Sequence, residues 1–282
     1  MTLKQKLARL KKIILNYNSV LIAFSGGVDS AFLLKVASEL LRKDKVLAVT
    51  ASSLTYPQEE LLFSKTIAQK LGVRHKIIKT DELKDERFVS NPINRCYFCK
   101  IRLFRRLKNI AAKAKLNFVL DATNASDKLD FRPGDKARQE LKIGSPLLET
   151  GLTKDDIRNL SRKLGLSTWN KPSLACLASR VPYGVRISLE SLERINRAEL
   201  YLRRIGFKQV RLRHYNGLCR IEVLKKYIPR LINRSEQIVD KLRKLGYNYI
   251  TVDLEGYRTG SMNPALPKKL RNKLTGRTGR AR

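Results

Sequence analysis

Short apolar runs alternate with amphipathic stretches over the first half of the chain. Four runs, each long enough for one strand, cover residues 20–24, 45–53, 74–80 and 118–122. Between them, apolar positions recur with the helical period over residues 31–42, 57–71 and 97–115. Short apolar runs are typical of strands buried on both faces, and their alternation with helices indicates a parallel sheet. We therefore predict an α/β fold in which buried parallel strands are covered by helices on both faces.

The pattern changes after residue 151. A short helix is predicted over residues 153–164, and a loop containing Pro172 and Pro182 follows it. Helices are then predicted over residues 189–205 and 227–245, and strands over 209–213, 219–224 and 249–254. This order favours a second, smaller α+β domain. The predicted boundaries are a first domain over 1–165, a linker loop over 166–186, the smaller domain over 187–264, and a basic tail over 265–282 whose low apolar content predicts disorder.

The first predicted strand runs directly into a turn of small residues, Ser25-Gly26-Gly27-Val28-Asp29-Ser30. Because glycines carry no side chain, backbone N–H groups there can close around phosphate oxygens, and a helix that opens near Ser30 directs its positive end at them. Asp29 could hold the Mg²⁺ that accompanies a nucleoside triphosphate. The turn is neither a Walker A motif nor a dinucleotide-binding motif. A tight turn with an ordinary helix N-cap is the alternative, but strand, turn and helix in this order favour an ATP site.

Two further strand ends are expected at the same edge of the sheet. Ligands of open parallel sheets bind at the carboxyl ends of the strands. Ser53 ends the second predicted strand, and a polar loop over residues 121–127 that contains Asn124 follows the fourth. The sequence therefore predicts that both residues help to bind the nucleotide.

The cysteines occupy three separate places. Cys96 and Cys99 are three residues apart at the start of a predicted helix, and Cys176 lies in the linker loop with the cations Lys171 and Arg180 nearby. Cationic neighbours and a helix N-terminus favour the thiolate form. A lone C-x-x-C could be a redox pair, half of a zinc site or two buried thiols without chemistry. Cys219 lies on an alternating strand and is predicted to be a core residue.

The composition limits the class of protein. No apolar run is long enough to cross a bilayer, and the N-terminus predicts an amphipathic helix rather than a signal sequence, so we expect a cytoplasmic protein without membrane contact. Four cysteines in 282 residues are too few for a disulfide scaffold. Lys and Arg total 59 against 25 acidic residues, a formal net charge of +34. Such an excess would attract nucleic acid, acidic surfaces or small polyanions.

Several long motifs together resemble one family. They are S-G-G-V-D-S, R-C-Y-F-C-K, D-F-R-P-G-D-K-A at 130–137, K-P-S-L-A-C-L-A-S-R-V-P-Y-G from residue 171, and D-L-E-G-Y-R-T-G-S-M-N at 253–263. Their combination is similar to the LarE family of the PP-loop ATP pyrophosphatases, which are ATP-dependent sulfur transferases of nickel-pincer nucleotide biosynthesis. The resemblance implies that ATP and Mg²⁺ convert carboxylates of pyridinium-3,5-biscarboxylic acid mononucleotide into acyl-adenylates, which sulfur then attacks. Lys100 and Arg132 would add positive charge near the pyrophosphate or the carboxylate.

The same resemblance implies the source of sulfur. Members with only the cysteine matching Cys176 sacrifice its sulfur, whereas members that also carry the R-C-x-x-C pair hold a [4Fe–4S] cluster on three thiolates. Cys96, Cys99 and Cys176 match the second type, so we expect such a cluster. Sulfide or another sulfur donor would provide the sulfur that it transfers. The resemblance also implies a homo-oligomer. Polar residues that would line the sulfur-transfer and phosphate-binding site of the smaller domain are Glu199 and Glu222, as catalytic residues, and Arg211, Arg213 and Arg258.

A tRNA thiolase of the same superfamily is the rival interpretation. The charge of +34 favours it, because phosphate contacts dominate affinity for nucleic acids. Against it, only about 16 residues precede the first predicted strand, and we expect no additional N-terminal RNA-binding module. The sequence also contains no second C-x-x-C pair that would complete a zinc ribbon. tRNA is therefore a partner under this alternative only.

Overall fold

The computed structural model describes residues 1–129, 131–172, 175–268 and 270. Asp130, Ser173 and Leu174 of the quoted motifs lie outside the described residues. So do residue 269 and residues 271–282, which include most of the predicted disordered tail. The chain divides into two compact units, one comprising Met1–Asp81 with Asn94–Leu174 and the other Glu82–Ile93 with Ala175–Arg282.

The described part of the first unit is built on a parallel sheet. Its four strands lie in the order β3-β2-β1-β4. In the shared register, Val20 lies opposite Val46 on one side and opposite Phe118 on the other. The prediction of a parallel α/β sheet is confirmed. The strands are β1 (Val20–Ala23), β2 (Val46–Ser52), β3 (Arg74–Lys79) and β4 (Phe118–Leu120).

Helices cover both faces of this sheet. Successive residues of β1 alternate between two hydrophobic clusters, because neighbouring side chains of a strand point to opposite faces. Val20 and Ile22 join the cluster that contains Phe32, whereas Leu21 joins the cluster that contains Phe104. The helices of this unit are α1 (Leu3–Tyr17), α2 (Val28–Leu40), α3 (Gln58–Lys70), α5 (Arg95–Lys113), α6 (Gly134–Glu140), α7 (Pro146–Glu149) and α8 (Lys154–Lys163), with α4 (Glu86–Val89) in the other unit.

The third strand differs from the prediction. We predicted that all four strands are buried, but Ile78 is the only buried residue of β3. The reason is its sequence, because the charged side chains of Arg74, Lys76 and Lys79 are exposed at this edge of the sheet. By contrast, three of the four residues of the central strand β1 are buried.

The second unit is α+β, as predicted. Its sheet has the order β5-β6-β7, with β5 antiparallel and β7 parallel to β6. The predicted helix over 227–245 is wrong as one element, because Arg234 leaves the helical conformation (φ −114°, ψ 18°). Two helices result. The elements are β5 (Val210–Tyr215), β6 (Leu218–Val223), β7 (Tyr249–Val252), α9 (Leu189–Arg204), α10 (Ile228–Ile232) and α11 (Ser235–Lys244).

The remaining elements are short. Single 3-10 turns connect the strands and helices in both units, and one of them, Leu177–Arg180, directly follows Cys176. Across the described stretches of the chain, no helix combines the length and the apolar character needed to cross a bilayer.

Candidate active site

The turn after β1, residues 25–30, is a compact loop closed by serine hydroxyls, and we call it the phosphate loop. The Ser30 hydroxyl donates to the Gly27 carbonyl oxygen at 3.2 Å and accepts the Ser25 N–H at 3.3 Å. Gly26 has φ +68°, and a Cβ there would lie 3.0 Å from Cβ of Ser64 on α3. Both observations require glycine at this position. Helix α2 begins at Val28, earlier than predicted, so Asp29 and Ser30 belong to its first turn.

One oxygen of Asp29 has no protein partner. Its Oδ2 lies 2.5 Å from Nζ of Lys154, whereas its Oδ1 is buried and has no hydrogen bond to any described residue. A buried carboxylate oxygen without a partner costs free energy. Carboxylate oxygens are the ligands that Mg²⁺ prefers, so the residues present fit a Mg²⁺ ion at this loop.

A second acid, Asp127, lies in the polar loop after β4. Its Oδ2 accepts the backbone N–H of Asn124 at 3.0 Å, and its Oδ1 lies 2.6 Å from the Arg132 guanidinium. Burial raises the pKa of Asp127 above its ordinary value, and although Arg132 opposes this, the nearby Asp29 adds to it. Asn124 is buried, and its Oδ1 accepts the N–H of Ser126. The structure therefore gives Asn124 the role of shaping this loop.

Two backbone carbonyl oxygens of the phosphate loop accept hydrogen bonds from side chains. The Tyr56 hydroxyl donates to the Ser25 carbonyl oxygen at 2.8 Å, and Nζ of Lys171 donates to the Gly26 carbonyl oxygen at 3.2 Å. We predicted that Lys171 is a cation that stabilises the Cys176 thiolate. Instead, its ammonium is paired with Glu60 at 2.6 Å.

Ser53 follows β2 directly, at its carboxyl end, as expected. Its hydroxyl is hydrogen bonded to the Thr55 hydroxyl at 2.6 Å and accepts the Thr55 N–H at 3.0 Å. These bonds form a local turn. Whether Ser53 contacts a nucleotide stays a prediction.

A cationic cavity lies between α5 and the start of α6. It measures about 190 Å³, and its lining includes the side chains of Lys100, Arg132 and Arg138 together with Cys96 and Asp121. Helix α6 can approach closely because Gly134 has no side chain, and a Cβ there would lie 2.9 Å from Cγ of Lys100. The predicted pair of Lys100 and Arg132 is thus brought together around one space, next to Cys96.

The two cysteines of the C-x-x-C pair lie in the first two turns of α5. Cys96 is exposed and Cys99 is half-buried. Both belong to the first unit, whereas Cys176 belongs to the second. Within the described residues, no group of three or more Cys, His, Asp or Glu side chains is placed to hold a metal ion.

Arg180 holds the backbone that carries Cys176. We predicted that its charge stabilises the thiolate, but the guanidinium is buried and makes two hydrogen bonds to Glu199, at 2.8 and 3.0 Å. Its third nitrogen donates to the carbonyl oxygens of Ala175, at 2.8 Å, and of Cys176, at 3.1 Å. Burial disfavours the charged Glu199 carboxylate, yet attraction to Arg180 outweighs this and lowers its pKa below the ordinary value.

A second buried ion pair holds the same segment. Arg213 makes two hydrogen bonds to Glu222, at 2.9 and 2.7 Å, and donates to the Ser179 carbonyl oxygen at 3.1 Å. Both predicted catalytic acids, Glu199 and Glu222, are therefore buried and fully paired with arginines. In this structure they position the residues around Cys176 rather than present a free carboxylate.

The other predicted arginines of this unit have different environments. Burial lowers the pKa of Arg211 to about 10, and repulsion from Arg180 adds to this shift. Arg258 is partly exposed and lies 3.4 Å from Asp253. Arg220, which sequence reasoning missed, approaches Glu222 at 3.2 Å and Asp253 at 3.4 Å.

Cys219 is a core residue, as predicted. It is fully buried on β6, and burial raises the pKa of its thiol to about 12. Such a thiol remains protonated near neutral pH and is a poor metal ligand.

Comparison with known proteins agrees with this geometry. A family model described as NAD synthase matches residues 3–139. The chain is 40% identical to an uncharacterised protein of Synechocystis sp. over 94% of this chain and 100% of that protein. It is 37% identical to the pyridinium-3,5-bisthiocarboxylic acid mononucleotide synthase of Lactiplantibacillus plantarum over 95% of this chain and 97% of that protein.

The similarity to one NAD synthetase covers a smaller part of the chain. An NH(3)-dependent NAD(+) synthetase of Chlorobium phaeobacteroides is 28% identical over 56% of this chain and 59% of that protein. The residues that the NAD synthase model matches, 3–139, include the four strands of the parallel sheet. The similarity to the mononucleotide synthase, by contrast, extends over nearly the full length of both chains. The chain therefore belongs to the LarE family of PP-loop ATP pyrophosphatases.

Proposed function

We propose that this protein is an ATP-dependent sulfur transferase that converts carboxylates of pyridinium-3,5-biscarboxylic acid mononucleotide into thiocarboxylates. The buried, unpartnered Oδ1 of Asp29 in the first turn after the phosphate loop carries the proposal, because it fits the metal ion of a bound nucleotide triphosphate. The product named for the relative from Lactiplantibacillus plantarum supports the choice of substrate.

The reaction begins with activation of a carboxylate, which is a poor electrophile. A substrate carboxylate oxygen attacks the α-phosphorus of ATP, the bond between the α and β phosphates breaks, and pyrophosphate leaves. The N–H groups around Gly26 and Gly27 bind the phosphate oxygens, and Asp29 holds Mg²⁺, which neutralises phosphate charge when bound. Lys154 fixes the Asp29 carboxylate through its contact with Oδ2.

The cationic cavity suits the other reactant. Lys100, Arg132 and Arg138 line this space together with two acids, Asp121 and Asp135. Both arginines have a carboxylate at 2.6 Å, Asp127 for Arg132 and Asp135 for Arg138, so a bound anion would share these cations. Arginine recognises carboxylate and phosphate groups through its planar donors, and lysine supplies a compact charge. We propose that this cavity binds the carboxylate that is activated.

The second step exchanges oxygen for sulfur. A sulfur nucleophile attacks the acyl carbon and AMP leaves with one former carboxylate oxygen, so that a thiocarboxylate remains. We propose that Cys96, Cys99 and Cys176 supply three thiolates to a [4Fe–4S] cluster. Held by these thiolates, such a cluster would supply sulfide-level sulfur, taken from a sulfur donor, as the nucleophile. Arg180 and Arg213 hold the backbone around Cys176 in place for either this role or direct donation of its own sulfur.

A tRNA thiolase is the second candidate, and the net charge of +34 favours it. One anaerobic experiment separates the two. The protein is incubated with Mg-ATP and either the pyridinium dicarboxylate mononucleotide or bulk tRNA, and AMP, pyrophosphate and product mass are measured. We expect AMP, pyrophosphate and oxygen-to-sulfur exchange with the mononucleotide. Release of AMP and pyrophosphate with tRNA alone would establish the second candidate.

The same experiment distinguishes the two sulfur sources. A cluster-dependent enzyme performs repeated turnovers when sulfide is supplied under anaerobic conditions. A colourless protein purified in air that is fully active for a single turnover, and that loses sulfur from Cys176, would instead assign the sulfur to that cysteine. Mass spectrometry of the peptide containing Cys176 reads this outcome directly.

A further inference from the structure

The Lys171 ammonium is held against the back of the phosphate loop. Its side chain is 13% exposed, and Nζ contacts the Gly26 carbonyl oxygen at 3.2 Å and the Glu60 carboxylate at 2.6 Å. Nζ also lies 3.5 Å from the centre of the Phe63 ring. Burial lowers the pKa of Lys171 below its ordinary value, although Glu60 opposes this. An ion pair with Glu60 alone would only stabilise the fold. The hydrogen bond to Gly26, however, lies in the loop where phosphate is proposed to bind.

That bond determines the direction of a backbone N–H group. The Gly26 carbonyl and the Gly27 N–H belong to one planar trans peptide, so they point in opposite directions. Lys171 therefore fixes the direction of the Gly27 N–H by holding the carbonyl, and in this structure that N–H donates to the Ser25 hydroxyl at 3.3 Å. Tyr56 does the same for the preceding peptide, because its hydroxyl donates to the Ser25 carbonyl oxygen. Two successive peptides are thus held from their carbonyl side.

The backbone of Lys171 is fixed as well. Arg158 on α8 donates to the carbonyl oxygens of Trp169, at 2.7 Å, and Lys171, at 2.9 Å. The ammonium that holds the Gly26 carbonyl is therefore carried by a fixed backbone.

We propose that Lys171 is a positioning residue that orients the Gly26–Gly27 peptide for phosphate and couples nucleotide binding to the Trp169–Lys171 backbone. The inference rests on the proposed binding of ATP at this loop. When a charged phosphate oxygen replaces the Ser25 hydroxyl as acceptor of the Gly27 N–H, the peptide is polarised more strongly and its carbonyl becomes a stronger acceptor for the ammonium. By thermodynamic linkage, nucleotide and the Lys171 contact strengthen each other equally.

Hydrogen exchange of the full chain tests the coupling between nucleotide binding and the Lys171 contact. In the wild type, a saturating non-hydrolysable ATP analogue is expected to slow exchange of the Trp169 to Lys171 amides by about fivefold or more. Lys171→Met removes the contact, so exchange should no longer respond to the analogue and the KM for ATP should rise. Lys171→Arg, which can donate to the same carbonyl, should recover part of the response.

Two variants separate this role from a structural one. Glu60→Gln removes the ion pair but leaves the bond to Gly26, and it should keep the response to the analogue. Lys70→Met, a matched change at an exposed lysine of α3, should behave as the wild type. Binding of the analogue with equal protection in the wild type and in Lys171→Met would overturn the inference alone. A wild type that binds no analogue would overturn the proposed function, and this inference with it.

Discussion

The phosphate loop and the segment around Cys176 differ in whether their buried charged groups have hydrogen-bond partners. At the phosphate loop, Asp29 keeps one buried oxygen without a protein partner. Around Cys176, the buried charges of Arg180 and Glu199 satisfy each other, and the remaining donors bind backbone carbonyls. An incompletely satisfied site is suited to binding a ligand, whereas a fully satisfied network is suited to holding a group in place. The comparison thus separates binding residues from positioning residues, although both sets are charged.

Breaking the Arg180 pair should have the largest effect. Arg180→Met leaves the buried Glu199 carboxylate without its main partner, and we expect a loss of about 3–5 kcal/mol in the free energy of unfolding. Urea denaturation measures it. Arg186→Met is the matched control, because Arg186 pairs with Glu86 at the surface, and its unfolding midpoint should stay unchanged. An Arg180→Met protein as stable as the wild type would show that the network is not the support described.

Asp29→Asn should come next, and it should affect activity rather than folding. The amide is a weaker ligand for Mg²⁺, so we expect pyrophosphate release to fall by about 10²–10³ in kcat. Asp155→Asn, at an exposed acid of α8, is the control and should retain activity. Comparable rates for Asp29→Asn and the wild type at saturating Mg²⁺ would remove Asp29 from the nucleotide site.

A change at Gly26 tests the shape of the loop. Gly26→Ala introduces a side chain at φ +68° and a contact of 3.0 Å with Ser64, and we expect a loss of about 1–3 kcal/mol in stability. Gly72→Ala, at φ +64° with no atom within 4 Å, measures the cost of the backbone conformation alone. The difference between their unfolding midpoints reports the approach of α3. Equal midpoints would mean that this approach does not require glycine.

The smallest expected effect is a pH dependence from Asp127. Its folded-state pKa is raised, chiefly by burial, so the folded protein binds a proton more readily than the unfolded chain. The wild type should therefore gain stability relative to Asp127→Asn as pH falls through the raised pKa towards the ordinary value of about 3.9. Urea midpoints of both proteins between pH 4 and 8 measure the difference. A constant difference across this range would contradict the assigned shift.

The apolar pattern predicted the sheet, and the small-residue turn predicted the phosphate loop, because both depend on residues close in sequence. Contacts between distant residues carried no such signal. Asp29 meets Lys154 across 125 positions, and Gly26 meets Lys171 across 145. The sequence shows that Arg180 and Glu199 are charged, but it does not show that they are buried as a pair. For this reason the sequence identified charged residues and local motifs, but not the contacts between residues that are distant in sequence.

The central claim is that ATP activates a substrate carboxylate before sulfur is introduced. Labelling the carboxylates of the pyridinium mononucleotide with heavy oxygen tests it most directly, since acyl-adenylate formation transfers one labelled oxygen to the α-phosphate. After anaerobic turnover with Mg-ATP, we predict that AMP carries one labelled oxygen for each thiocarboxylate formed, and that pyrophosphate carries none. Unlabelled AMP alongside a thiolated product would contradict the account.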